Sequence, residues 1–307
     1  MIPMGVQGNK VPEEVIGLVR DLRQISKGIR VIPRAIQHKM KDIGEDVDTF
    51  ELMNEEGEEH LTVPGILSHN ALWEAAEEVW QIALDCQLRS APEATWNSEV
   101  HCRLFRLALR GHWKSKGIWY QDVTTARISD KSLVPSVATT PMQSKLVDYV
   151  MTIDSSFDFR NRIVAKLSSQ RFVPSINQTS AEWIRFNPIA VSIETKRGAV
   201  DQDTTYVQLG MWTAAHFAKL RQLTQDRSAA LPVLPLVLVQ GHEWKMMLAS
   251  MKPDPRLEML AYLPLGDTGT LSGVYRVIAG IRRLAKWIDE QYRPWFEKEV
   301  LADQVSK

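Results

Sequence analysis

Residues 189–196, Ile-Ala-Val-Ser-Ile-Glu-Thr-Lys, start as an unbroken apolar run and finish on charge. A short apolar run rich in β-branched residues predicts a buried strand. Strand side chains alternate in direction. Ala190, Ser192, Glu194 and Lys196 therefore share one face, and Ile189, Val191, Ile193 and Thr195 the other. A Glu and a Lys closing such a strand are costly to bury unless something pairs with them. Lys145–Ile153 predicts a second strand, with Leu146, Asp148, Val150 and Thr152 on one face, although Asp is depleted in strands. Two further strands are predicted at Leu231–Val239 and Glu243–Ser250, joined as a hairpin through Gln240-Gly241-His242. The first core strand is ambiguous between Ile118-Trp119-Tyr120 and Thr124–Ile128.

Helical periodicity appears in the remaining segments. Residues 11–43 look helical with a break near Pro33. His69–Leu84 carries a stripe of Leu72, Ala76, Val79, Trp80 and Ala83. A helix over Asn97–Leu109, capped by Asn97 or Ser98, places Val100, Leu104, Leu107 and Ala108 inward. Thr204–Leu223 and Leu271–Tyr292 are the other long helices. A loop with Pro135 and Pro141 follows the second of these five segments' successor, and residues 154–187 read as a long connection with helical pieces. This order predicts a mixed α/β core (an α+β mixed sheet) with a helical N-terminal part. Residues 1–95 form that part, with an acidic loop at 44–62 expected to be solvated. Residues 96–300 form the core, in one compact unit with the first.

Composition narrows the picture only slightly. The chain has 307 residues, 44% hydrophobic and 24% charged, with 37 basic and 37 acidic side chains. Zero net charge gives no general attraction to nucleic acid, so any basic surface must be local. Two such clusters exist: Arg103, Arg106 and Arg110 at helical spacing, and Lys196-Arg197. Cys86 and Cys102 exclude a disulfide framework and a four-cysteine zinc site, and are expected as buried reduced thiols. No apolar run of about 18 residues predicts a membrane span, and residues 1–10 lack a signal-peptide core. An intracellular protein, of cytoplasm or nucleus, is expected. No histidine pair has the i, i+4 spacing of a helical zinc site, and neither a phosphate-binding glycine loop nor a nucleophile elbow occurs. Most of the ten tryptophans are expected in the core, with Trp113 or Trp119 as candidates for stacking on single-stranded nucleic acid.

The residues that remain carry chemistry. Glu99 lies on a helix, Asp148 in one strand, Glu194 and Lys196 in another. If the two strands are neighbours, Asp148 and Glu194 meet at one end of the sheet. Two carboxylates plus a backbone carbonyl, such as that of Thr195, suit Mg²⁺ or Mn²⁺. Lys196 would orient a water or stabilise the transition state, with Gln208 on the following helix holding Lys196 or the water.

The sequence resembles the PD-(D/E)xK nuclease superfamily, in particular its fungal nuclease-like domain. The carriers are Trp96-Asn97-Ser98-Glu99-Val100-His101, Val147-Asp148-Tyr149, Ile193-Glu194-Thr195-Lys196-Arg197, Gln208-Leu209-Gly210-Met211-Trp212, Val239-Gln240-Gly241-His242-Glu243-Trp244 and Tyr292-Arg293-Pro294-Trp295. The proline that names the motif is absent, with Leu146-Val147 before Asp148. The resemblance implies a restriction-endonuclease-like α-β-β-β-α-β core and a metal-dependent phosphodiesterase acting on nucleic acid. It implies Asp148 and Glu194 as metal ligands, Glu99 as the helix acid on a second metal or its water, Lys196 as the catalytic amine and Gln208 as support. Two other readings stay open: a repurposed fold acting on a small hydrophobic metabolite, as a fungal secondary-metabolite enzyme, and a catalytically silent binding module.

Overall fold

The computed structural model describes residues 11–53, 67–134, 147–154, 156–169, 175–198, 202–252, 254 and 256–302. The expected loop prolines Pro135 and Pro141, the start of the expected second strand at Lys145 and Leu146, the segment 1–10, and Glu55, Glu56, Glu58 and Glu59 all lie outside these residues.

One six-stranded sheet runs in chain order: β1 Ile118–Asp122, β2 Tyr149–Ile153, β3 Ile189–Lys196, β4 Leu234–Gln240, β5 Glu243–Met251 and β6 Leu257–Asp267. Only β3 and β4 are parallel; the other neighbours are antiparallel. A parallel pair needs a crossover helix, here α6 (Gln202–Leu223). The other helices are α1 (Ile16–Ser26), α2 (Gln37–Asp42), α3 (His69–Leu88), α4 (Cys102–Lys116), α5 (Phe157–Ser169), α7 (Leu271–Trp287) and α8 (Arg293–Glu299). The chain enters α4 through Glu93–Thr95 and a π-helical stretch, Trp96–His101. The succession α4, β1, β2, β3, α6, β4 is the expected core, with α5 inserted before β3. Ile118–Asp122 supplies the first core strand; β6 has no counterpart in the predicted elements.

Both faces of the sheet are covered, which is why β3 is buried at every position but its last. On one face Phe105 of α4 packs on Tyr149 and Trp244, with ring centroids 5.2 and 5.6 Å apart. Tyr149 pairs with Ile193 across β2–β3, so the odd positions of β3 face α4. On the other face Trp212 of α6 donates to Ser192 Oγ at 3.0 Å. The even positions, Glu194 and Lys196 included, follow Ser192.

Three sequence expectations change. Asn97 and Ser98 cap nothing, because the helix already begins at Glu93 behind Pro92, a residue whose fixed φ suits a helix entrance. In the described part of the acidic segment Asp46 and Asp48 are exposed, as expected, but Glu45 and Glu51 are built into the fold. Glu45 accepts hydrogen bonds from the Leu271 and Ser272 amides at 2.7 and 2.9 Å, where a carboxylate complements the start of α7. Glu51 is buried, closes a capping box with Asp48, and pairs with Arg276 at 3.5 Å. Cys86 is buried and Cys102 half-buried; both are free. Among the described residues no helix is long and apolar enough to cross a membrane.

Gly117 ends α4 with φ at 59°, and a Cβ there would stand 2.5 Å from the Asp154 carbonyl oxygen. That turn delivers the chain to β1. Gly117→Ala is expected to lower the unfolding free energy by about 1–3 kcal/mol, read from urea denaturation; an unchanged midpoint would contradict the packing described.

Candidate functional site

Asp148 immediately precedes β2, and its N–H donates to the Ile193 carbonyl at 3.1 Å. It therefore lies beside the end of β3 that carries Glu194 and Lys196. Both carboxylates are 0% exposed, where an ionised group survives only with partners. Asp148 Oδ2 accepts from the Thr195 amide and from Thr195 Oγ1, both at 2.9 Å. Its Oδ1 accepts from Asn97 Nδ2 at 3.3 Å. Glu194 Oε1 is hydrogen-bonded and ion-paired to Lys196 Nζ, and Glu93 Oε2 is 3.9 Å from the same ammonium.

The predicted alternation of β3 holds, but Asp148 departs from its predicted face. It stands just outside the ladder, and its carboxylate reaches Thr195 Oγ1 and Asn97, on the α4 side, while Glu194 belongs to the α6 side. The two acids thus reach the strand end around Thr195 rather than side by side on one flat face. Gln208 is buried one helical turn before Trp212, on the part of α6 nearer the end of β3.

Glu99 lies elsewhere. Its carboxylate pairs with Arg103 at 3.0 Å, and Arg103 also pairs with Glu78 at 2.7 Å. These side chains line an open groove of about 620 Å³ between α3 and α4, together with Arg106 and Arg110. The structural reading of Arg103 as a partner for Glu99 is the one observed. The Trp113 and Trp119 rings meet at a tilt of 42° with centroids 5.4 Å apart, and Trp113 is exposed.

The same helix brings to Asp148 two residues that the sequence reading did not single out. Asn97 and His101 are buried, and His101 Nδ1 is 2.9 Å from Asn97 Oδ1. Tyr149 donates its hydroxyl to the Asn97 carbonyl at 3.0 Å. The hairpin motif at 239–244 completes the enclosure: Trp244 meets the His101 ring edge-on at 5.5 Å, and His242 meets Trp96 at 5.1 Å. Glu93, Asn97 and His101 are spaced i, i+4, i+8, a signal visible in the sequence but masked there by the more conspicuous Glu99. Burial pushes His101 down to about 4, so the ring is neutral at ordinary pH.

Among the described residues no group of three or more His, Cys, Asp and Glu side chains could hold a metal ion. Two carboxylates are nevertheless a donor set that Mg²⁺ accepts, since it keeps several waters and takes one or two acids. Asp148 and Glu194 supply carboxylate oxygens, the donor type such a cation takes. By donor type the residues fit a hard divalent cation.

A family model described as the PD-(D/E)XK nuclease superfamily matches residues 35–293. Members of that superfamily typically use divalent metals. Comparison with curated proteins and with solved structures gives no match.

Burial lowers His101, His112 and His216 each to about 4, against about 6.5 in an unfolded chain. The unfolded state then binds more protons between those values, so stability present above about pH 6.5 is lost as pH falls toward 4. Urea unfolding at pH 7 and pH 4.5 should show that loss, with His101→Asn reducing it; equal slopes for the variant and the parent would show His101 to be uninvolved.

Proposed function

The chain belongs to the PD-(D/E)XK nuclease superfamily, and from that membership and the site we propose that it is a metal-dependent phosphodiesterase of nuclease type acting on nucleic acid. The observation that carries this reading is the gathering of Asp148, Glu194 and Lys196 at one end of β2–β3, with both acids fully buried yet partnered. Acids that serve only stability are rarely built in this way, because burying an ion pair seldom improves on apolar packing.

Asp148 and Glu194 would hold the cation, with the Thr195 carbonyl as a neutral ligand. A bound Mg²⁺ or Mn²⁺ would supply charge neutralisation at the scissile phosphate and a more acidic water. Lys196 ends its strand half-buried, with its stem covered and its ammonium at the site. An ammonium so held would steady the attacking water and stabilise charge developing on the phosphate. The Glu194 carboxylate keeps that ammonium oriented before substrate arrives, and Gln208 is the supporting group from α6. The basic side chains Arg106, Arg110 and Arg197 would meet the phosphates of the polymer, an attraction confined to local patches on a chain of zero net charge.

Cleavage of DNA or RNA should require Mg²⁺ or Mn²⁺ and fall about 10²-fold or more in Asp148→Ala and Lys196→Ala, with both variants melting cooperatively. Wild-type rates in the two variants would reject the assignment.

A further inference from the structure

The helix beside the site meets it through one face, and that face does not contain Glu99. Residues four apart on a helix lie one above the other, whereas residues two apart look in different directions. Glu93, Asn97 and His101 make the first kind of series, and all three are tied to the site: Glu93 to Lys196, Asn97 to Asp148 and Thr195, His101 to Asn97. Glu99, two residues past Asn97, is turned into the groove with Arg103. We propose that the helical wall of the site is the Glu93, Asn97 and His101 face, with Glu93 as the second carboxylate on Lys196 and with Asn97 and His101 as positioning residues for Asp148. The inference rests on Asp148 and Lys196 being site residues.

Hydrogen counting gives the arrangement its direction. The Asn97 amide group donates to Asp148 Oδ1, so its Oδ1 must point the other way, toward Thr195 Oγ1 at 2.8 Å and His101 Nδ1 at 2.9 Å. That oxygen can only accept, so His101 must carry its proton on Nδ1. Nε2 is then a bare acceptor, and it is buried without a hydrogen-bond partner among the described residues. The single hydroxyl proton of Thr195 faces two acceptors, Asn97 Oδ1 at 2.8 Å and Asp148 Oδ2 at 2.9 Å; a second donor on Asn97 Oδ1, from His101, lets that proton be shared with Asp148. The opposite tautomer would set the Nδ1 lone pair against the Asn97 oxygen, or turn the amide so that its carbonyl faced the Asp148 carboxylate. The first sets two acceptors in contact, and the second removes a donor from Asp148. The tautomer of one buried ring thereby sets the orientation of a carboxylate two contacts away.

The test uses the full chain. Long-range ¹H–¹⁵N NMR on histidine-labelled protein at neutral pH should show His101 neutral with its proton on Nδ1, a readout that needs neither metal nor activity. Calorimetric Mn²⁺ titration should show affinity weakened about 10-fold or more in His101→Leu and Asn97→Ala. His101→Asn, whose amide nitrogen can replace the Nδ1 donor, should recover most of it. In cleavage assays Glu93→Gln should lose more activity than Glu99→Gln. An Nε2–H or charged His101, an Asn variant no better than the Leu variant, or a larger loss in Glu99→Gln would each overturn the proposal. If wild type neither cleaves nucleic acid nor takes up Mn²⁺, the nuclease reading fails, and the NMR result still decides whether this face is arranged as described.

Discussion

Two carboxylates are buried at the end of one strand, and the surrounding structure supplies each with polar partners. Removing a charge from water costs several kcal/mol unless hydrogen bonds and an opposite charge replace the lost solvent. Asp148 receives neutral donors, and Glu194 receives an ammonium. The difference matters chemically. The Thr195 and Asn97 donors fix the position of Asp148. Glu194 shares its charge with Lys196, so both are oriented together, and whatever displaces one must move the other.

This arrangement makes demands on distant parts of the chain. Just before β2, Asp148 still bonds the Ile193 carbonyl through its N–H, while its side chain takes the Thr195 amide. Asn97 can reach Asp148 only from a helix that is already under way at that point, and the π-helical stretch Trp96–His101 coincides with the residues that do the holding. Single π turns are rare inside α-helices and recur at functional sites. Here the Asn97 carbonyl in that stretch accepts the Tyr149 hydroxyl, so a backbone group loosened from the ordinary ladder finds a partner on β2. The enclosure by Trp96, Trp244 and Phe105 excludes water from the network, which strengthens each of its hydrogen bonds.

The strand ending in Glu194 and Lys196 was legible because apolar continuity followed by charge has few other physical readings. The crossover helix and the hairpin at Gly241 were legible for similar reasons: a long periodic run, and a glycine whose φ of 56° suits the two-residue turn. The helix face was not. Asn is a frequent helix cap and seldom a buried helical residue, so Asn97 was read as a cap. Glu99 was chosen by residue type, yet on a helix type without direction does not identify a site residue. Glu93 sits behind a proline, at a position where an acidic residue is expected merely to suit the helix dipole. β6 was missed because Pro264 and Gly266 interrupt its apolar run, and both are tolerated there by shifts in the β5–β6 register and by the sheet edge.

The placement of the site at a strand end also bears on what the fold can bind. A sheet covered on both faces has no exposed face to offer, so a ligand approaches from the ends of the strands, and for the parallel pair β3–β4 this means the carboxyl ends. Lys196 closes β3 at that end. The apolar cavity of about 160 Å³ lined by Trp287, Tyr292 and Trp295 is at the other end, since Tyr292 donates its hydroxyl to the carbonyl of Ile189, the first residue of the same strand. Eight strand residues separate the two by about 23 Å. A small hydrophobic molecule in that cavity would therefore not touch Lys196 or Glu194. The groove between α3 and α4, on the helix face turned away from Asp148, is instead lined by Arg103, Arg106 and Arg110 with two acids among them, a lining better suited to an anionic ligand than to an apolar one.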